Sequence, residues 1–449
     1  MNDPTPSGTP RDHMQAIAAA ALAAVAPGPA LRAALAGLPA RPKRPPHILA
    51  FGKASYPMAQ AAVAVLAEWG LAPAGGVIIA PEAGAAPHPA LPVVMGDHPV
   101  PGIHSRAAAL ALGQAVRSVQ RGDEAWVLLS GGATSLVAAP IDGIGVEDFE
   151  WLFSRLATSG LDIRAMNRIR KRFARWGAGR LAAALAGASI RLFVVSDVVG
   201  DDLLSIGSGP CVPDPSTAAE IRAELEATPL WPDLPTALRG HLAQVEAGKL
   251  PETPKPEAPV FDAVTGEIIS SNRAAVLGAA RKAEELGFET VVNTKPLIGN
   301  AADAGRKVAE WVLTRPPVSK RPEERPWCMI WGGETTVNLT GPHGHGGRCQ
   351  ELALAAAERL AAHGTRPGLR VLALGTDGRD GPTDAAGGVV DAETWGKIKA
   401  AGIDPAAALA GHDAYPALDA AGALVRLGLT GTNVMDVVIA LELAGGERA

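Results

Sequence analysis

Cysteine is scarce in this chain: three residues in 449, at Cys211, Cys328 and Cys349. They are odd in number and form no C-x-x-C pair, which argues against a disulfide framework or a structural zinc site and suits a reducing compartment. Aromatic residues make up only 4%, so the cores must be assembled from Ala, Val, Leu and Ile. No run of Lys and Arg is interleaved with aromatics and the formal net charge is −5, which sets nucleic acid aside as a partner. No apolar run reaches the ~20 residues that a membrane-crossing helix needs, so no membrane partner is expected. The apolar segment from Ala16 to Ala26 ends in Ala24-Val25-Ala26, in the manner of a signal-peptidase site. However, Asp3 and Asp12 against Arg11 deny it a positive leading region. An N-terminal helix and a cytoplasmic location are therefore expected. Two nucleotide motifs are also missing. There is no G-x-x-x-x-G-K-[ST], hence no P-loop, and no G-x-G-x-x-G opening a helix after an early strand.

What is present is a globular composition, 47% hydrophobic and 19% charged, on a chain too long for one ordinary core. One theme recurs: a short apolar strand, a Gly/Ser/Asp turn, then an Ala-rich helix. His47 to Phe51 precedes Gly52-Lys53-Ala54-Ser55 and a helix to about Trp69; Val77 to Ala80 is a further strand. Ala125 to Leu129 precedes Ser130-Gly131-Gly132-Ala133-Thr134-Ser135, and Ile190 to Val195 precedes Ser196-Asp197. Apolar strands alternating with amphipathic helices predict an α/β fold, its parallel sheet covered on both faces. Pro-rich, charged stretches at Gly248 to Pro259 and Arg315 to Pro326 read as exposed connections. The expectation is two α/β domains: a larger, Rossmann-like one over residues 1–250 and a second over residues 256–449. In the second, Trp327 to Trp331 and Arg370 to Leu374 read as strands ending in Gly-rich turns.

In open α/β sheets, ligands bind where strand carboxyl ends meet helix N-termini, and the polar clusters fall at such places. Lys53 opens a helix just past a strand, where a cation suits a phosphate or carboxylate; a solvated turn lysine is the bland alternative. Ser130, Gly131, Gly132, Thr134 and Ser135 could form an anion-binding nest or an ordinary capped turn. Asp197 is a candidate general base for a hydroxyl, or a metal ligand. Gly333 and Glu334 are expected in a turn after the Trp327 strand, and Arg348 offers a planar fork for phosphate or carboxylate oxygens. Asp377, Asp380 and Asp384, on a glycine-rich turn, could gather around Mg²⁺ or form Asx turns.

Together these segments resemble the glycerate 2-kinase family, the MOFRL-type glycerate kinases often labelled hydroxypyruvate reductases. The resemblance runs along most of the chain. It rests on FGKAS around Lys53, GDHPVP from Gly96, LSGGATSL, SDVVGDDLLSIGSGP, GGETTV, GGRCQE around Arg348, GTDGRDGPTDAAGG and TGTNVMD. It implies Mg-ATP-dependent phosphorylation of D-glycerate at the 2-hydroxyl, at a site between two α/β domains, with Lys53 and Arg348 as catalytic residues. ATP, Mg²⁺ and D-glycerate are the implied ligands, and a homodimer is left open. Two positions depart from the family pattern: Gly177-Ala178-Gly179 stands where Lys-Gly-Gly is usual, and Cys349 where Asn is usual. Arg170, Lys171 or Arg172 are candidates to replace the absent lysine.

On this reading Lys53 and Arg348 grip the transferred phosphoryl group, the Ser130–Ser135 nest takes a carboxylate or phosphate, and Asp197 accepts the hydroxyl proton. Two rivals stand beside it. An NAD(P)H-dependent hydroxypyruvate reductase would want the dinucleotide fingerprint that is missing. A catalytically silent sugar-acid or nucleotide binder would have no need of the cationic pair and the carboxylates.

Overall fold

The computed structural model describes residues 8–156, 159–318, 326–339, 341–364 and 366–443. Asp3 and the middle of the Arg315 to Pro326 connection lie outside them. The chain divides into two compact units, residues 27–269 and residues 1–26 with 270–449. Among the described residues, no single helix is long and apolar enough to cross a membrane.

Unit 27–269 is built on strands β1 (His47–Phe51), β2 (Gly75–Ala80), β3 (Val93–Met95), β4 (Glu124–Ser130), β5 (Ser189–Val195) and β6 (Val264–Ser270). Their order is β3-β2-β1-β4-β5-β6, and the pairs from β3 through β5 are parallel. Alternate residues Leu49 and Phe51, Val77 and Ile79, and Val127 and Leu129 turn one face to Ala108 and Leu112 of the helix Ile103–Ser118. The intervening Ile48, Ala50, Ile78 and Leu128 are also fully buried, so both faces are covered and the strands read as continuous apolar runs. Trp126, on β4, meets Trp69 and Phe193 edge to face, at ring separations of 6.4 and 6.2 Å. A second, all-helical core forms around Phe149, Leu152, Phe173, Ile221, Leu238 and Leu242.

The topology places the site. From β1 the chain steps outward to β2 and β3, then returns to lay β4 on the other side of β1. That reversal opens a crevice at the carboxyl ends of β1 and β4, the position where open α/β sheets take their ligands.

The other unit holds β7 (Glu289–Val292), β8 (Leu297–Asn300), β9 (Trp327–Thr336), β10 (Leu369–Gly375), β11 (Gly387–Val390), β12 (Leu424–Val425) and β13 (Asp436–Glu442). The order is β12-β11-β10-β13-β9-β7, with β8 also on β9. This sheet is mixed: β13 runs antiparallel to both β9 and β10, while β7 and β8 run parallel to β9. Each of the seven residues of β13 is buried. Helices Ala301–Leu313 and Arg348–His363 pack closely where Gly305 faces the Leu352 carbonyl, which a Cβ would meet at 2.1 Å.

Two sequence expectations change. The division falls after residue 269 rather than near 250, and the first 26 residues join the unit formed by the end of the chain. Helix Pro10–Ala23 buries Met14, Ile17 and Ala21. Its partner is the helix Asn272–Glu285, where a Cβ on Gly278 would lie 2.4 Å from Ala24 Cβ. Secondly, Gly332 to Thr336 continue β9 instead of forming a turn. Gly332 and Gly333 belong in the strand because neighbours crowd them: a Cβ would come 1.8 Å from Asn272 Oδ1 and 2.2 Å from Leu297 O, respectively.

Candidate active site

The crevice of unit 27–269 is lined by the turns after β1, β4 and β5. The Lys53 N–H donates to Gly131 O at 2.9 Å, and the Ala54 N–H to Ser130 Oγ at 2.9 Å, so the first two turns are laced together. Gly132 sits at φ +80°, where a side chain would be strained, and a Cβ there would lie 3.0 Å from His98 Cδ2 and 3.2 Å from Lys53 Cγ. Lys53 and His98 therefore flank the turn. Among the described residues, the N–H groups of Gly132, Ala133 and Thr134 find no acceptor, and three such donors beside an ammonium make an anion-binding nest. The Asp197 carboxylate presses on the same turn: a Cβ on Gly131 would sit 1.7 Å from Asp197 Oδ2. Burial raises the Asp197 pKa above its ordinary value, and the charge of Lys53 works against that rise.

Not every predicted donor here is free. Ser130 Oγ serves Ala54 and is almost wholly buried. Thr134 Oγ1 pairs with Ser208 Oγ at 2.9 Å, and Ser135 Oγ donates to Pro99 O at 2.8 Å. The hydroxyls shape the turn, and the open backbone N–H groups are what it offers to an anion.

In the other unit, Arg348 is the first residue of its helix and is held on three sides. Its Nε and Nη2 donate to Asp436 Oδ2 and Oδ1 at 2.7 and 2.8 Å, and Nη1 lies 3.0 Å from Glu334 Oε1. Strand register produces this arrangement, because Asp436 pairs with Gly333 in the sheet. Asn272 braces the same strand, its Nδ2 donating to the carbonyls of Val434 and Asp436 at 2.8 Å each. Burial alone would lower the Arg348 pKa, but the paired carboxylates of Asp436 and Glu334 more than reverse it. The guanidinium stays charged.

The three carboxylates expected around Mg²⁺ do not converge. Asp380 turns into the helix N-terminus, accepting from Cys349 N at 3.1 Å and Gln350 N at 2.7 Å; desolvation by burial pushes its pKa up to about 7. Asp384 faces outward to Tyr415 Oη at 2.7 Å and Arg426 Nε at 3.2 Å. Asp377 accepts from Arg379 N at 3.1 Å in an Asx turn. Among the described residues, no group of three or more His, Cys, Asp or Glu is placed to hold a metal ion. The candidates for the missing lysine are likewise committed. Lys171 pairs with buried Asp214 at 2.9 Å, Arg172 with Glu252 and Thr253, and Arg170 lies over the Phe153 ring. Cys349 is buried, and desolvation raises its thiol pKa well above the ordinary range, so it is no nucleophile.

Asp436, His98 and Asn272 went unpredicted as site residues. The first two lie within quoted motifs, TGTNVMD and GDHPVP, so a signal existed; Asn272 lies in none.

Comparison with known proteins agrees with this architecture. Residues 13–243 match a family described as a domain of unknown function, DUF4147, and residues 327–436 match the MOFRL family. A glycerate 2-kinase of Pyrococcus horikoshii is 35% identical over 395 residues, covering 88% of this chain and 87% of that one. A D-glycerate 2-kinase of Thermotoga maritima is 36% identical, with 88% and 90% covered. A protein of Agrobacterium vitis provisionally named a hydroxypyruvate reductase is 34% identical, with 92% and 91% covered. The crystal structure of a Thermotoga maritima glycerate kinase superposes with a TM-score of 0.82 at 34% identity, covering 95% of this chain and 98% of that one.

Proposed function

Because the chain belongs to the glycerate kinase family, we propose that it transfers the terminal phosphoryl group of ATP to the 2-hydroxyl of D-glycerate, giving ADP and 2-phospho-D-glycerate. The observation that carries this reading is the nest of open N–H groups at Gly132 to Thr134, flanked by Lys53 and pressed by Asp197. It offers an anion site and a proton acceptor side by side. Phosphoryl transfer asks a protein for that: position, charge neutralisation and a base for the attacking hydroxyl. The hydroxyl oxygen of the acid attacks the γ-phosphorus, its proton passes to Asp197, and the bond to the ADP oxygen breaks. Lys53 and Arg348 neutralise the charge spread over the phosphoryl oxygens. Glu334 and Asp436 keep the Arg348 fork in one orientation.

Asp377, Asp380 and Asp384 do not fit a preformed magnesium site, since they turn to separate partners: Asp380 to a helix N-terminus, Asp384 to Tyr415 and Arg426, and Asp377 to its own turn. A magnesium ion carried by the phosphates of ATP would supply charge neutralisation there and would need at most one or two protein carboxylates. The reductase reading has a relative's name behind it, but the turn after β1 reads Phe-Gly-Lys-Ala-Ser and carries no glycine fingerprint.

The purified protein, given Mg-ATP and D-glycerate, should release ADP and one phosphorylated acid, which phosphorus and carbon NMR identify as the 2-phospho isomer. Hydroxypyruvate-dependent consumption of NADH or NADPH, without ATP turnover, would sink the proposal.

A further inference from the structure

Within unit 27–269 a cavity of about 210 Å³ opens between the helix Ile163–Phe173 and the loop after β5. It is smaller than the about 300–1,000 Å³ typical of drug-sized ligands, so it suits an acid of a few carbons rather than a nucleotide. The helix wall is cationic. Arg164, Asn167, Arg168 and Lys171 line it, at the i, i+3, i+4 and i+7 spacing of a single helix face. Arg168 is paired with Glu224 at 2.6 Å and Lys171 with Asp214 at 2.9 Å. Among the described residues, Arg164 and the Asn167 amide have no such partner. The opposite wall accepts. Asp202 there takes hydrogen bonds from Leu204 N at 3.1 Å and Ser205 Oγ at 2.7 Å, and its carboxylate oxygens have further lone pairs to offer.

A small acid with two hydroxyls matches this division: its carboxylate for the Arg164 guanidinium and the Asn167 amide, and the hydroxyl that does not react for the Asp202 carboxylate across from them. Lys171, on the cavity wall, packs toward the phosphate nest through Gly177 and Ser208. A Cβ on Gly177 would lie 3.2 Å from Ser208 Cβ and 3.4 Å from Lys171 Cβ, and Ser208 Oγ meets Thr134 Oγ1 at 2.9 Å. We propose that this cavity seats the acceptor acid, with its carboxylate on Arg164 and Asn167. The assignment rests on the kinase reading above.

The test is steady-state kinetics with both substrates varied, together with calorimetry of D-glycerate alone. Arg164→Ala and Asn167→Ala should each raise the KM for D-glycerate about tenfold or more while the KM for ATP moves less than about twofold. Arg164→Lys should fall between, keeping the charge without the fork. D-Glycerate should bind the unmodified protein without nucleotide, and Arg164→Ala should weaken that binding to the same degree. Unchanged D-glycerate KM in both alanine variants of an active enzyme would overturn the assignment. If the unmodified protein phosphorylates no D-glycerate, the kinase reading fails; binding that Arg164→Ala abolishes would still uphold the cavity as a hydroxy-acid site.

Discussion

Lys53 and Arg348 are held differently, and their variants should differ accordingly. Lys53 contributes a stem lying along Gly132 and a charge near Asp197. Lys53→Ala should therefore lower kcat by about 10²–10³ with little change in melting temperature, checked by steady-state assay and thermal unfolding side by side. Arg348 carries a structural duty too, since it satisfies both oxygens of a buried aspartate. Arg348→Lys offers an ammonium where a fork was, and Arg348→Ala leaves Asp436 buried and unpaired, at about 3–5 kcal/mol. Both variants should lose activity, and the alanine should also unfold at visibly lower denaturant. Asp197 sets a pH limit. A base must be deprotonated to act, and its raised pKa puts the acid limb of kcat above the ordinary carboxylate value of ~3.9. Activity should rise with pH through that limb, and Asp197→Asn should remove both the limb and most of the rate. A profile flat from pH 4 upward would count against the role.

At the level of elements, the Gly-Thr-Asp-Gly turn after β10 serves the start of the helix Arg348–His363, because Asp380 receives two of its N–H groups. The turn holds the helix, and so Arg348, in place. Asp380→Ala should cost about 0.5–2 kcal/mol of stability for the lost cap. The folded pKa near 7 exceeds the unfolded value, so the native state holds a proton there that the unfolded chain has lost. Its contribution to stability is full below about pH 4 and disappears as pH rises through 7. Asp380→Asn should flatten that slope, read from urea midpoints at pH 5 and pH 8. Much of this layout was legible in the sequence. The turns after His47–Phe51, after Ala125 to Leu129 and after Ile190 to Val195 announce themselves by glycine, hydroxyl or carboxylate residues at the ends of apolar runs. The destination of Asp380 was not legible, because a carboxylate in a glycine-rich turn looks alike whether it meets a cation or a helix end 30 residues away. Likewise Asp436 finds Arg348 across 88 residues, through a register that neither strand encodes alone. The glycines of β9 suggested a turn because their sequence does not reveal the neighbours that crowd them.

For the molecule as a whole, Lys53 and Arg348 belong to different units, yet one reaction is assigned to both. The Lys53→Ala/Arg348→Ala double variant should therefore be little slower than the poorer single variant, as expected of groups that act on one transition state. Losses that multiply would mean two independent tasks. The N-terminal helix carries a different consequence. Its packing partners, the helix Asn272–Glu285 and strand β13, emerge from the ribosome long after it does. At about 5–20 residues per second, Met14, Ile17 and Ala21 wait tens of seconds with their apolar surfaces wet, while all of unit 27–269 is made. A segment made before unit 27–269 is thus among the last to find its place, and over that interval it is a natural target for chaperones.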